Sequence, residues 1–335
     1  MEAEFGKIGH QMRHVIGAEM GHKYREEAVA EIWEWLKEAW AAGNPPDPKN
    51  VKLETRTLRY PQHHWLKLTG LEKHWEPTTA TAEWDPEKKE ITIDSKNVNS
   101  LEIEEVPGAE FDGYSLVING EKISSNETGL PISSLTATQR DGKWTWGEPE
   151  GLRKKPGLQG PIDDAFLNRF VVVPPDETPA HPLVARWVDF ELNHFRNRWQ
   201  ELMRGEVIEA DSEDLDSDDM MDSNLILWGD PASNRMIAEI IDKLPIEWGK
   251  DSFTFRGKSY DTANHLPVFI FPNPVNPDRY VVINSGLTFR EAHDRTNSLQ
   301  NPKLPDWAVI NLDQLPDASS PGKVIAADFF NESWE

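Results

Sequence analysis

Asn224-Leu225-Ile226-Leu227-Trp228-Gly229-Asp230-Pro231 is the stretch that decides the fold of the C-terminal half of the chain. It is a short apolar run, it is closed by Gly-Asp-Pro, and a helical pattern follows over Ala232 to Lys243. Such a run is typical of a strand that is buried on both faces. Because strands of this kind occur mainly in sheets covered by helices, the stretch predicts an α/β sheet.

The neighbouring segments extend this prediction to residues 156–335, after a basic connection from Arg153 to Gly157. On the N-terminal side we predict a strand over Arg169 to Val173 and a long helix over Pro182 to Arg204. On the C-terminal side we predict strands over Val268 to Phe271, Tyr280 to Asn284 and Trp307 to Asn311. Strands that alternate with helices favour a flavodoxin-like sheet, with ligands at the carboxyl ends of its strands.

Residues 50–150 show a different pattern, in which apolar and polar residues alternate over short runs. Turn signals such as Asn119-Gly120 and Asp141-Gly142 separate the runs. The predicted strands are Val51 to Thr55, Trp65 to Leu68, Thr79 to Trp84, Ile91 to Ile93, Ser115 to Ile118 and Lys143 to Trp146. A period of two at this spacing predicts an all-β sandwich.

The first 43 residues form a third segment. Met12 to Ile16 is predicted as a short strand, and Arg25 to Ala42 as a helix with one apolar stripe. Gly43 and the proline-rich stretch from Asn44 to Pro48 end this helix and mark a domain boundary. We expect the stripe to dock on the chain's own sandwich or on a second copy, which would give a homodimer.

The composition restricts the partners of the chain. Its 335 residues carry a net charge of −23, which argues against nucleic acid and anionic membrane surfaces. No apolar run approaches the roughly 18 residues of a membrane span, and no signal peptide is visible, so we expect a soluble chain of undetermined localisation. The absence of cysteine excludes disulfides, thiolate catalysis and cysteine-based metal sites. No cofactor is predicted.

Two segments are candidates for metal binding, and neither is favoured. The acidic run from Glu206 to Asp222 could bind calcium, but it lacks the glycine and the distal glutamate of an EF-hand loop. A solvated loop is the better interpretation. His63, His64 and His74 lack the H-E-x-x-H spacing of a catalytic zinc site. The sequence therefore predicts no metal.

Motifs along the whole chain carry a family resemblance. They are, in order, Gly21-His22-Lys23-Tyr24, Thr57-Leu58-Arg59-Tyr60, Glu72-Lys73-His74-Trp75, Gly160-Pro161-Ile162-Asp163-Asp164-Ala165-Phe166 and the Asn224 to Pro231 stretch. This set resembles the C-terminal half of prolyl-oligopeptidase-like serine hydrolases of a multidomain, planctomycete type. The resemblance implies a multidomain α+β chain. Residues 1–43 would be the end of an α/β-hydrolase domain, followed by a β-sandwich and a small α/β domain.

The resemblance also implies that His22 is the inherited catalytic histidine. In that family the serine and the acid precede the histidine, whereas only residues 1–21 precede His22 and no G-x-S-x-G motif occurs. A histidine without its serine cannot perform covalent catalysis. We therefore expect the accessory, non-catalytic half of a truncated serine-hydrolase relative, which binds, positions or gates.

The alternative is an active esterase or peptidase that acts on a small ester or peptide. It would use His22 with a substitute nucleophile, or a separate site on the α/β domain. Ser285, in the sharp turn Asn284-Ser285-Gly286, is the candidate nucleophile, and Asp230 ends another strand of the same sheet. The histidines close to Ser285 in sequence are His265 and His293.

The same strand ends could instead bind a ligand without reacting. Asp230, Asn234, Asn284 and Ser285 would line such a pocket, with Asn234 near a helix N-terminus. In a purely structural interpretation, these side chains cap the helix and fix the turns. The sequence leaves these alternatives open.

Overall fold

The computed structural model describes residues 1–44, 47–104, 114–124 and 135–335. The chain divides into two compact units, residues 1–48 and residues 49–335. The described residues form several β-sheets and a few helices, so the fold is mixed.

The first unit contains helices α1 (Glu2–Lys7) and α2 (Glu26–Ala42), and α2 confirms the predicted helix. The strand predicted over residues 12–16 is wrong, because these residues form no regular element. A strand needs a neighbour to pair its backbone N–H and C=O groups, and the described part of residues 1–48 offers no second strand. In α2 only Ala28 is buried, while Trp40 is 90% exposed.

The described residues between 50 and 146 form two five-stranded sheets that enclose one hydrophobic core. The first sheet has the order β1 (Asn50–Thr55), β4 (Thr78–Asp85), β5 (Glu90–Lys96), β7 (Ser115–Ile118) and β8 (Glu121–Ser124). The second has the order β10 (Lys143–Trp146), β9 (Leu135–Arg140), β6 (Val98–Ile103), β3 (Leu66–Leu71) and β2 (Gln62–His63). Neighbouring strands pair antiparallel except β5 and β7, which pair in parallel. We call this part the two-sheet region.

A six-stranded sheet is the centre of residues 156–335. Its order is β11 (Phe170–Val173), β12 (Asn224–Leu227), β17 (Tyr280–Ile283), β16 (His265–Pro272), β18 (Trp307–Asn311) and β19 (Lys323–Asp328). Only β11, β12 and β17 are parallel, so the flavodoxin-like prediction is wrong. The short segment 273–279 joins β16 to β17, and a parallel crossover needs about a dozen residues or more.

The remaining elements cover this sheet and extend its core. They include the helices α3 (Pro182–Met203), α4 (Ser217–Asp222) and α5 (Arg235–Ile240), and a small sheet of β13 (Ile246–Trp248), β14 (Ser252–Phe255) and β15 (Lys258–Asp261). Helix α3 crosses from β11 to β12 and buries Trp187 and Phe195 against the sheet. We call residues 156–335 the α/β region.

Candidate functional site

The parallel strands β12 and β17 end at the same edge of the six-stranded sheet, and the predicted site residues follow them. Leu227 pairs with Ile283 in the register, so the turn after β12 lies beside the turn after β17. Asp230 belongs to the first turn, and Asn284 and Ser285 belong to the second. The structure therefore brings these two predicted turns together.

Asn284 ties one turn to the other with its side-chain amide. Its Oδ1 accepts a hydrogen bond from the N–H of Gly229 at 2.8 Å, and its Nδ2 donates to the carbonyl of Gly229 at 2.8 Å. Asn284 is 1% exposed and has a φ of 57°, a left-handed conformation that asparagine tolerates better than most residues. Its amide is therefore already bonded to the backbone.

Asp230 and Asn234 build the turn that leads into α5. Asp230 Oδ1 accepts hydrogen bonds from the N–H of Ala232 at 3.0 Å and from the N–H and hydroxyl of Ser233 at 2.9 Å each. Asn234 is the N-cap of α5, where its Oδ1 accepts from the N–H of Ile237 at 3.1 Å. The capping interpretation accounts for both side chains, apart from the second carboxylate oxygen of Asp230.

Ser285 makes a local hydrogen bond. Its hydroxyl donates to the carbonyl of Gly286 at 2.9 Å, and the residue is 7% exposed. The rings of His265 and His293 make their hydrogen bonds with other residues, namely Asp261, Asn311 and Arg290. A serine nucleophile needs its proton to point at a base, and in Ser285 that proton points at a backbone carbonyl.

His22 lies in the exposed loop that precedes α2. In the part of the chain that the structure describes, no hydrogen bond is formed by its ring. A triad histidine is held in its tautomer by a carboxylate and faces the serine with its other nitrogen. Within the described part of residues 1–48, neither a carboxylate nor a serine hydroxyl bonds to the ring of His22.

A cavity of about 330 Å³ opens beside Asp230. Its walls contain the apolar side chains of Val184, Trp248 and Leu266. Its polar lining comes from Asp230, His181, Lys250, Thr262 and His265. Of the four residues predicted to line a pocket, only Asp230 lines this one. Asn234, Asn284 and Ser285 are buried and do not line it.

His181 and Thr262 are cavity residues that sequence reasoning missed. The hydroxyl of Thr262 donates to the carbonyl of Lys250 at 2.6 Å. His181 Nε2 lies 3.2 Å from that carbonyl and 3.2 Å from the hydroxyl. A proline after His181 marks the start of α3, but nothing in the sequence connects this position to Thr262.

A second polar group lies where the α/β region meets the two-sheet region. Asp164 Oδ2 accepts a hydrogen bond from the hydroxyl of Tyr280 at 2.8 Å, and Arg59 of the two-sheet region lies 3.4 Å from Oδ1. Burial raises the pKa of Asp164 to about 6, against the opposing effect of the Tyr280 hydroxyl. Burial likewise raises the pKa of Asp163 to about 6, although Thr288 donates to its carboxylate. Sequence reasoning placed both residues in a motif of the family resemblance but assigned no role to their carboxyl groups.

The same junction contains a fully buried ion pair. Lys154 Nζ lies 2.6 Å from Asp306 Oδ2, and both side chains are 0% exposed. Burial raises the pKa of Asp306, and the ammonium of Lys154 opposes that rise. Close by, His74 Nδ1 lies 2.6 Å from Glu332 Oε2. The His74–Glu332 pair joins the two-sheet region to the α/β region, and the Lys154–Asp306 pair fixes the segment that connects them.

The metal alternatives gain no support from the geometry. Across residues 1–44, 47–104, 114–124 and 135–335, no three His, Asp or Glu side chains are placed to hold a metal ion. Carboxylates of the acidic run instead pair with arginines, as Glu209 does with Arg196 at 2.6 Å and Asp219 with Arg169 at 2.8 Å. Among the described helices, none combines the length and the apolar composition that a membrane crossing requires.

The chain was compared with protein-family models, with curated proteins and with solved structures. No family model matches it, and neither does any curated protein or solved structure.

Proposed function

We propose that this chain is the non-catalytic, accessory half of a prolyl-oligopeptidase-like serine-hydrolase relative, and that it binds or positions a molecule. The ordered motifs from His22 to Pro231 support the relationship. The state of the strand-end side chains supports the accessory role. Ser285 donates its proton to the carbonyl of Gly286, and Asp230 Oδ1 is bonded to three donors in its own turn. Covalent catalysis would require both groups to face a reacting atom instead.

The proposed architecture has three parts. The alternating burial of strands β1, β4 and β5 around one core supports a β-sandwich over residues 50–150. The parallel strands β11 and β12 with their crossover helix support an α/β domain over residues 156–335. The His22 loop followed by α2 supports a hydrolase remnant over residues 1–43.

We further propose that α2 forms a homodimer contact. Its exposed large apolar residues are Val29, Trp33, Trp35, Leu36 and Trp40. Exposed apolar surface of this kind is typical of an interaction site. Sedimentation velocity should show a dimer for the wild type and a monomer for the double variant Trp33→Ser, Trp40→Ser. A wild-type chain that sediments as a monomer at every concentration would contradict the contact.

The accessory role is tested by hydrolysis of p-nitrophenyl butyrate. We expect the purified wild type to hydrolyse the ester no faster than buffer, and Ser285→Ala and His22→Ala to match it. Ser252→Ala, at an exposed position of the small sheet, is the control for effects that any serine-to-alanine substitution has on the purified protein. A wild-type rate above buffer that falls in Ser285→Ala or His22→Ala, but not in Ser252→Ala, would establish the active-hydrolase alternative.

A further inference from the structure

We propose that the cavity beside Asp230 binds a small organic ammonium ion. The apolar part of the ligand would fill the cavity, and its ammonium group would donate to Asp230 Oδ2. This inference rests on the proposed binding role and names the chemical class of the ligand.

Hydrogen bonds within the turn hold the carboxylate of Asp230 in place through one of its two oxygens. Asp230 is 8% exposed, and its Oδ1 is fixed by the N–H groups of Ala232 and Ser233 and by the hydroxyl of Ser233. Within the described residues, Oδ2 accepts no hydrogen bond, yet it is not among the fully enclosed polar atoms that lack a partner. Because Asp230 lines the cavity, Oδ2 is the oxygen available to a ligand there. A largely buried carboxylate oxygen is stabilised by a cationic donor.

The cavity has the size and walls of a site for a small ligand. Its volume of about 330 Å³ lies at the lower end of the range for small-molecule sites, roughly 300–1,000 Å³. Val184 and Leu266 give it aliphatic walls, which suit the apolar part of a ligand. Trp248 contributes an indole ring, the side chain over which organic cations bind best.

The charges around the cavity favour a cation over an anion. Among the lining residues, Asp230 carries the one carboxylate and Lys250 the one ammonium. Lys250 is exposed, so water screens its charge, whereas the buried charge of Asp230 acts through a medium of lower dielectric constant. The rings of His181 and His265 already make hydrogen bonds to protein groups. The net charge of −23 adds a long-range attraction for cations.

The test uses three probes that share a phenyl ring and differ in charge. They are 2-phenylethylammonium, 2-phenylethanol and phenylacetate, each titrated into the full chain by isothermal calorimetry. We expect the ammonium to bind at least roughly tenfold more tightly than the alcohol, because only the ammonium can neutralise Asp230. Phenylacetate should bind more weakly than the alcohol.

Asp230→Asn removes the charge and keeps an oxygen for the three donors of the turn. We expect it to weaken ammonium binding by at least roughly tenfold and to leave the alcohol unaffected. Asp242→Asn is the matched control, since Asp242 is exposed and does not line the cavity. Ala232→Trp, at the exposed edge of the cavity, should fill it and abolish binding of both probes even if Asp230→Asn folds poorly.

The proposal is overturned if the ammonium does not bind, if the three probes bind equally, or if phenylacetate binds most tightly. It is also overturned if a folded Asp230→Asn protein binds the ammonium like the wild type. None of these results bears on the accessory role, which the ester assay tests separately. Conversely, ester hydrolysis that depends on Ser285 would refute the accessory role even if the ammonium binds.

Discussion

Two groups of buried polar side chains contact the six-stranded sheet, and they differ in how they are satisfied. The strand-end group consists of Asp230, Asn234, Asn284 and Ser285. The junction group consists of Lys154, Asp163, Asp164, Tyr280 and Asp306. The strand-end side chains bond mainly to backbone groups of their own turn or, for Asn284, of the adjoining turn. The junction group instead pairs side chains that are far apart in sequence, such as Lys154 with Asp306.

The comparison shows that the residues at the ligand-binding edge of the sheet are not the residues whose carboxyl pKa values are raised. The strand-end group occupies the place where α/β sheets bind ligands, yet most of its polar atoms serve the fold. The junction group contains the carboxyl groups with strongly raised pKa values, Asp163 and Asp164. Perturbed pKa values are common in active sites, but groups that are buried in structural networks also have them. Here Arg59 reaches Asp164 from the two-sheet region, so the network acts as a fastening between regions.

The largest effect is expected for Lys154→Met. It leaves the carboxylate of Asp306 buried without its cation, and breaking a buried pair in this way costs about 3–5 kcal/mol. Urea unfolding measures the loss. Lys155→Met is the matched control, because Lys155 pairs with Asp278 at the surface and should cost about 1 kcal/mol or less. Equal losses in the two variants would show that the buried pair is not a fastening.

A pH-dependent effect is expected for Asp164. Burial raises its pKa from 3.8 to about 6, so the folded state holds this proton more tightly than the unfolded state. The resulting stabilisation is complete below about pH 4 and is lost as the pH rises through 6. Relative to Asp164→Asn, the wild type should therefore lose roughly 3 kcal/mol of unfolding free energy between about pH 3 and pH 7.

Asp278 is the control, because its contribution to the stability should change with pH in the opposite direction. The hydrogen bond from Lys155 lowers the pKa of this exposed carboxyl group, so its small contribution to stability should be lost as the pH falls. Urea midpoints of the wild type and of both Asp→Asn variants, measured from about pH 2.5 to pH 7, separate the two trends, because the Asp278 contribution is lost only below its ordinary pKa of 3.8. Parallel pH profiles for the wild type and Asp164→Asn would contradict the assignment.

Asn284→Ala tests the strand-end group and should cost roughly 2–3 kcal/mol. The change leaves the buried N–H and C=O of Gly229 without partners and places alanine at a φ of 57°. Asn284→Gly removes the same hydrogen bonds without the backbone cost, so it should be about 1 kcal/mol less destabilising. If both substitutions are tolerated without loss, Asn284 is not a structural tie and its amide becomes available for a ligand.

The smallest effect is expected for Ser285→Ala. Its hydroxyl makes one local hydrogen bond to the carbonyl of Gly286, so thermal unfolding should report a loss of about 1 kcal/mol or less. A loss as large as that of Asn284→Ala would place Ser285 in a wider network than its contacts indicate.

The sequence predicted the strands best where the alternation is clean. Ser115–Ile118 and Lys143–Trp146 were found with their observed bounds. Strands β6 and β9 were missed because small polar residues occupy core positions in them. Ser100 of β6 and Thr138 of β9 are buried and hydrogen-bond each other at 3.1 Å, a pairing that satisfies both only after the strands meet.

The site was predicted only as far as local sequence determines it. The turns around Asp230 and Asn284 were placed at strand ends that lie side by side. The partner of each polar atom depends on the residues that surround it in the fold. For Asp230 these surroundings leave Oδ1 bonded within the turn and Oδ2 available to a ligand. Lys154 shows the same limit, because the sequence marks it only as part of a basic connection, whereas its side chain is fully buried against Asp306.

Labelling with a fluorophosphonate tests the central claim most directly, because this reagent phosphonylates activated serines. The full chain would be treated with the reagent, and peptide mass spectrometry would locate any adduct. We expect no adduct at Ser285, since its hydroxyl is bonded to the carbonyl of Gly286 and faces no base. An adduct on Ser285 that disappears when the chain is unfolded before labelling would contradict the account and identify an active hydrolase.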